Sequence, residues 1–526
     1  MTFKSILFGC SAAFLAALMP LLGAARAETA EGTKLADGMG YVSLVRLEHQ
    51  EVKAKNGLVM IAFELPRLDG IPLYQSSDDG TSWTYVTLVK DGEFTGRAGC
   101  RLRWQPNLIE LPRDSGPLKR GTLLLSANTT CDDSEHRLAE EHLQVYVSTD
   151  LGHSWSYRGT IVDGMGNPEE KDNHGVWEPN LVILPDGRMV AYYSSEDHKK
   201  DGFNQLLAHK VSTDGGVTWS EEVYDSAVPG GVERPGMAAV ISLPDGRYAY
   251  TYEDIDGPRN NGQVHTKFSR DGLDWGAPAD RGWPIATMGG AWPAACPQIN
   301  WFPIGGPNGV LVVSAERAGG SGDPGGRSLY WNNDLGRGPW WEIRAPVQKA
   351  TGNIAAGWTQ ALMLKRDGRL LHITSSSTSA HPENADGNEI LYAAAPLSFS
   401  RYEAEDAARS GSAAYIRDDR MSNRGRVRLA SGEMGRLDFD IYVPQAGTYP
   451  VSVRYTPATL SPAEPNLSVN GARIAPLVEQ PSGDWLLMTG RIKLTAGSNR
   501  ISITGGKNSA DVDYLELGTP APQRKR

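Results

Sequence analysis

Cysteine is scarce, with four in 526 residues, and Cys10 lies in a leader expected to be removed. Cys100, Cys131 and Cys296 remain, an odd and sparse set with no pair at zinc-ligand spacing. That excludes both a disulfide framework and a zinc site. One bridge, with Cys100 and Cys131 as the candidate pair, suits an oxidising compartment. Positive charge is outnumbered, 52 Lys and Arg against 62 Asp and Glu for a formal net charge of −10. No basic patch is interleaved with aromatics, so a nucleic-acid partner is not expected. Long apolar runs are missing beyond the first two dozen residues, which excludes a membrane span. Helical periodicity is nearly missing as well.

What is present begins with an export leader. Met1 to Lys4 give a short positive start, Ser5 to Ala24 an apolar run, and Ala25-Arg26-Ala27 the small residues of a cleavage site. Residues 1–27 therefore read as a signal peptide, and the mature protein is expected to be secreted or periplasmic. At this length two or more domains are expected. Fourteen tryptophans and 19 tyrosines supply flat faces suited to sugar rings, although most such residues in a β protein pack its core.

An internal repeat sets the architecture. Ser76-Ser-Asp-Asp-Gly-Thr-Ser-Trp83 recurs from Ser148 to Trp155 and from Ser212 to Trp219, with weaker copies at Ser269–Trp275 and Asn333–Gly336. The aspartates Asp78, Asp150, Asp214, Asp271 and Asp334 fall 57 to 72 residues apart, room for one four-stranded blade each time. Ser and Asp can bond turn backbone, Gly takes a positive φ, and Trp packs beneath the hairpin. These Asp boxes are structural devices. Asp-Gly hairpins at Asp186, Asp245 and Asp367 lie between them. Five repeats plus the Asp367 hairpin predict a six-bladed β-propeller over residues 28–398. From Tyr402 short alternating strands predict a separate β-sandwich over 399–518, with 519–526 as a loose tail. The fold class is all-β throughout.

Glycosidic cleavage needs one carboxyl as acid and a second as base or nucleophile. Glu178, in Val176-Trp-Glu-Pro179, and Glu253, in Thr251-Tyr-Glu253, interrupt long apolar strands beside aromatic residues. A buried carboxyl holds its proton more tightly, which suits an acid. By spacing alone, however, each reads more readily as a satisfied structural residue.

Residues 40–397 resemble glycoside hydrolase family 93, exo-acting α-L-arabinanases on a six-bladed, sialidase-like propeller. The strings that carry the likeness are Gln105-Pro-Asn-Leu108, Val176-Trp-Glu-Pro179, Tyr192-Tyr-Ser194, Gln205-Leu-Leu-Ala-His209, Arg234-Pro-Gly-Met237, Leu243–Tyr248 and Thr251–Glu253. The resemblance implies a retaining hydrolase of arabinan that needs no catalytic cofactor, with Glu178 and Glu253 as the catalytic pair. The resemblance does not divide the roles between them; neighbouring Asp254, which could help keep Glu253 protonated, leans the reading to Glu178 as nucleophile. Arg46, Trp177, His209, Arg234 and Trp358 are candidate substrate contacts, each with an alternative role in packing or in pinning loops. The family sets a tyrosine near its carboxylates late in the propeller; Tyr330 and Trp358 lie in that part of the chain, but the local match is poor. An exo-sialidase, which wants three arginines around a substrate carboxylate, is disfavoured by Val45-Arg-Leu47 where an Arg-Ile-Pro string belongs. A non-catalytic lectin is the reading from another class.

Residues 399–518 resemble carbohydrate-binding modules of families 35 and 6, through Tyr402-Glu-Ala-Glu405, Ala446-Gly-Thr-Tyr449, Leu494–Asn499 and Asp513-Tyr-Leu-Glu516. The resemblance implies a structural calcium held by Glu403, Glu405 and Asp513, hard oxygen donors. It implies a sugar site using Trp485, with Tyr415 and Asn508 as further candidates. The expected partner is an oligosaccharide or polysaccharide, and a monomer is expected.

Overall fold

The structure, a computed structural model, describes residues 31–65, 68–166, 174–258, 262–305, 308–319, 326–348, 357–377, 388–418 and 420–520. The leader read at residues 1–27 lies outside them. Among the described residues no helix is long and apolar enough to cross a membrane, and the helices are single 3-10 turns.

Six antiparallel sheets form the blades of the propeller. Their inner strands are Gly40–Arg46, Cys100–Glu110, Val176–Ile183, Arg234–Ser242, Gln298–Phe302 and Ala361–Leu364. Each inner strand packs against the next, and the sixth returns to the first, closing the ring. The closure is sealed in sequence too. Thr33–Asp37, from the N-terminal end, pairs antiparallel with Asn388–Ala395 as the outermost strand of the sixth blade. Blade four is extended, with Trp283–Pro284, Trp292–Ala294 and Arg317–Gly319 added beside its third strand.

The repeated turns behave as their chemistry requires. Ser76 Oγ accepts from the Gly80 N–H at 2.8 Å, while Asp78 accepts from the Ser82 N–H at 2.8 Å. The same bonds recur around Ser148 and Asp150 and around Ser212 and Asp214. In blade five Asn332 takes over the serine's part, accepting from the Asp334 and Gly336 N–H groups. These turns join the third strand to the fourth, on the face opposite the start of the inner strands.

The start of the inner strands carries the feature that builds the site. Tyr41, Gln105, Glu178, Met237, Cys296 and Thr359, one from each blade, all have a left-handed backbone, with φ of 49°, 56°, 62°, 58°, 49° and 38°. In the first four blades the ladder slips register at this point. A bulge inserts an unpaired residue and re-aims its side chain, here toward the axis. Non-glycine residues at such φ cost about 1–3 kcal/mol each and persist only where the surroundings hold them.

After the propeller, two sheets face one another as a β-sandwich. Leu437, Phe439 and Ile441 of one meet Val451, Val453 and Leu515 of the other in a shared core. That core runs without a break into blade five, through Trp331, Trp341 and Phe302. Trp341 stacks on Phe439 at 6.1 Å between centroids and meets Tyr402 edge-on at 4.8 Å. Asp406 accepts the Glu342 N–H at 2.7 Å and its carbonyl accepts the Gly289 N–H at 2.8 Å. The sandwich is docked on the propeller, not tethered beside it.

Candidate active site

One cavity of about 200 Å³ runs along the propeller axis and takes lining residues from all six inner strands. Five of the six left-handed residues line it, Cys296 being represented by its neighbour Pro297. Glu178 stands at its mouth, half-buried. Its Oε2 accepts from Ser194 Oγ at 2.7 Å and from the Met237 N–H at 2.9 Å, and Tyr41 OH donates to Oε1 at 3.4 Å. Burial raises the proton affinity of Glu178, and these donors with the charge of Arg234 offset only part of the rise.

Glu253, also half-buried, is placed differently. It ends the second strand of blade four, opposite Gly236, and a Cβ on that glycine would lie 3.4 Å from its Oε1. Its one hydrogen bond comes from the Cys296 N–H, at 2.7 Å to Oε2. Burial, then the charge of Glu178, push its pKa up to about 8. Both glutamates therefore flank the two-residue segment Gly236-Met237, one well supplied with donors and one poorly. Asp254 does not hold the proton on Glu253. It lies on the opposite face of the strand, fully buried, against Glu233 and Arg281, as strand alternation requires.

The other sequence-derived candidates divide. Arg234 is at the site: it donates to Glu196 at 2.9 Å and to Gln205 at 2.8 Å, and its charge acts on Glu178. Trp177 is half-buried beside it, its Nε1 on Glu196 at 3.2 Å and its ring 6.0 Å from that of Trp104. Trp358 meets Tyr41 edge-on at 5.6 Å. Arg46 is elsewhere. It ends its strand at the far face, where it pairs with Asp79 and donates to the Leu364 carbonyl at 3.0 Å. His209 is on the third strand of blade three, buried, with Nδ1 on Asp225 at 2.7 Å, so it packs between blades away from the cavity. Tyr330 is buried in blade five, bonded to the Trp292 carbonyl. The tyrosine beside the nucleophile candidate is Tyr41, from the first blade.

Tyr41, Glu64, Gln105, Ser194, Glu196, Cys296 and Glu316 were not singled out by the sequence. A signal for three of them was there. Gln105-Pro-Asn-Leu108, Glu178-Pro-Asn-Leu181, Cys296-Pro-Gln-Ile299 and Tyr41-Val-Ser-Leu44 are the same inner-strand string. Superimposing them puts Tyr41, Gln105 and Cys296 on one ring with Glu178.

The sandwich has neither cysteine nor histidine, so metal ligation there falls to carboxylates; Cys100 and Cys131 of blade two form a disulfide. Glu403 and Asp513 are buried, and each bonds Ser422; Asp513 also pairs with Arg454. Both Glu405 oxygens are buried with no hydrogen-bond partner. Burial raises all three pKa values, joined by the charge of neighbouring carboxylates at Glu403, pushed up to about 8, and at Glu405, and opposed by Arg454 at Asp513. By charge and donor type this set fits a hard dication, which would offset the repulsion. Its oxygens are looser than the Cys131, Glu140 and His142 group, the one cluster among the described residues with ligand atoms within 4.8 Å of one another. There the sulfur is already spent in the disulfide. Of the sugar-site candidates, Trp485 is 8% exposed beneath the Arg454 guanidinium, and Asn508 fastens the Pro462 carbonyl. That burial corrects the expectation of an apical Trp485 platform. Tyr415 alone offers an open ring, at 47% exposure.

Residues 400–519 match the family 35 carbohydrate-binding module. An α-L-arabinanase of Penicillium chrysogenum, solved with arabinobiose, superimposes with a TM-score of 0.58 at 26% identity, over 70% of this chain and 98% of that one. The family 93 α-L-arabinofuranosidase of Fusarium graminearum, also with arabinobiose, gives 0.56 at 25% identity, over 69% and 98%. The chain is a glycoside hydrolase whose propeller is similar to those of family 93 enzymes. Its hydrolase propeller and family 35 module account for nearly all of the described residues. No curated protein sequence matches the chain.

Proposed function

We propose that this hydrolase is exported, acts on α-1,5-linked L-arabinan from the chain end with retention, and releases a short arabino-oligosaccharide such as arabinobiose. The observation that carries the reading is the unequal pair that flanks Gly236-Met237. Glu178, with three donors and a nearby guanidinium, is the carboxyl that ionises first. Glu253, with one donor and two neighbouring glutamates, keeps its proton. Glu178 is then the nucleophile that attacks the anomeric carbon. Glu253 gives its proton to the departing oxygen and afterwards takes one from water. Their common segment, Gly236-Met237, supports the short separation that retention needs.

Trp177, on Glu196, and Trp358, against Tyr41, are half-buried aromatics near Glu178 that suit a furanose face. Arabinobiose in two similar structures supports the substrate class. A sialoside reading is weaker because Arg46, where the first clamp arginine belongs, is committed to Asp79. The leader supports secretion, and Glu403, Glu405 and Asp513 are assigned a structural calcium that takes no part in the reaction.

The test uses linear α-1,5-arabinan with product identification. E178Q is expected to lower kcat by 10³-fold or more, on the order found for removed nucleophiles. E253Q is expected to lose comparably on arabinan but to keep much of its rate on a nitrophenyl arabinobioside, whose leaving group needs no proton. Turnover of arabinan by both variants at the parental rate would remove the assignment.

A further inference from the structure

Glu178 is held in a left-handed conformation, yet nothing on its own blade secures its backbone N–H. The support comes from the neighbour. Gln105, at the matching position of blade two, accepts the Glu178 N–H on its side-chain oxygen at 3.0 Å. Gln105 is itself left-handed, at φ 56°, and 8% exposed. Its own N–H is accepted by Glu64 Oε1 at 2.7 Å.

Glu64 ends the second strand of blade one and pairs with Gly40, the counterpart of Glu253 facing Gly236. The two glutamates share a position but not a setting. Glu253 is half-buried, whereas Glu64 is 1% exposed and has a second oxygen without a hydrogen-bond partner. Burying an acid so completely is costly, and the bond to Gln105 is the one use the structure makes of it.

We propose that Glu64 and Gln105 act in series as a brace across three blades, fixing Glu178 in its attacking orientation; this rests on Glu178 being the nucleophile. Both are positioning residues, and neither touches substrate. Without the brace the Glu178 N–H is left unpaired, its backbone relaxes from positive φ, and the carboxylate leaves Ser194 and the Met237 N–H. Glu64 serves in its neutral form, since burial pushes its pKa up to about 8, so a glutamine can replace it.

The full-length protein is assayed on arabinan as E64L, E64Q, Q105L and Q105N. E64L and Q105L are expected to lose about 10²-fold in kcat with KM unchanged, the scale of an ångström-level misplacement. The acid limb of kcat/KM moves to higher pH in both, because Glu178 has lost two donors. E64Q recovers to within about threefold of the parent, and E64L/Q105L is no worse than the poorer single variant. Should a leucine variant fail to fold, Q105N keeps a polar group one methylene short and is expected to lose about tenfold with the same shift of the limb. Folded E64L and Q105L, or folded Q105N, with parental kcat and an unmoved acid limb overturn the brace. E178Q with parental turnover would instead overturn the assignment of the nucleophile.

Discussion

At the residue scale the protein is organised by unequal environments for like groups. The two central glutamates have the same unperturbed acidity, and the difference in their hydrogen-bond donors separates them. The proposed roles require Glu178 ionised and Glu253 protonated, so kcat/KM should be bell-shaped in pH. Its alkaline limb falls as Glu253 deprotonates near pH 8. Its acid limb lies above the ordinary carboxylate range, since burial raises Glu178 as well. A rate that stays level through pH 9 would show that another group gives the proton. Glu178 and Glu253 drew notice in the sequence as charged breaks in apolar strands, and the family resemblance made them a pair. Tyr41 did not, being one more aromatic in a β segment.

Elements explain why the site sits where it does. A blade offers its inner strand to the axis, and a bulge at the start of that strand turns one side chain inward. The repeated turns lie at the other face, which is why the most visible motif in the sequence has no part in the chemistry. Arg46 follows the same logic, five residues along its strand from Tyr41 and hence at the far face. The strand Thr33–Asp37 matters differently, because it closes the ring. Deleting residues 31–38 removes its ladder with Glu389–Tyr392 and the Lys34–Glu389 pair. Each lost backbone bond is worth about 1 kcal/mol, so the Tm should fall by roughly 5 °C or more. Calorimetry showing an unchanged Tm would mean that the blades close without it.

For the whole molecule, the module and the propeller are one packed body. Ending the chain at residue 398 would uncover Trp331, Trp341 and Phe302, now at most 7% exposed. Each buried aromatic contributes about 1.5–3 kcal/mol, and an apolar patch of that kind invites association. The truncated propeller is therefore expected to unfold at lower temperature and to elute as larger species in size-exclusion chromatography. A monodisperse truncated form with the full-length Tm would show that docking is incidental. The sequence had read the two as separable because each has its own strand pattern. Periodicity reports the burial of a strand's face without naming the face that covers it.

The sequence by itself determined the all-β class and the blade count, which follow from local periods and turn chemistry legible within a few residues. The boundary near residue 400 was an expectation from strand pattern, and the pair Glu178 and Glu253 one from the family resemblance, since charged breaks in apolar runs mark structural carboxyls as readily. Tertiary structure alone decided that Tyr41 and Gln105 bond Glu178 and Glu64 bonds Gln105, that Arg46 and His209 stand apart from Glu178, and that Trp485 is covered. Those outcomes depend on which blade lies beside which and on a change of backbone sign at one residue per strand. No window along the chain contains either.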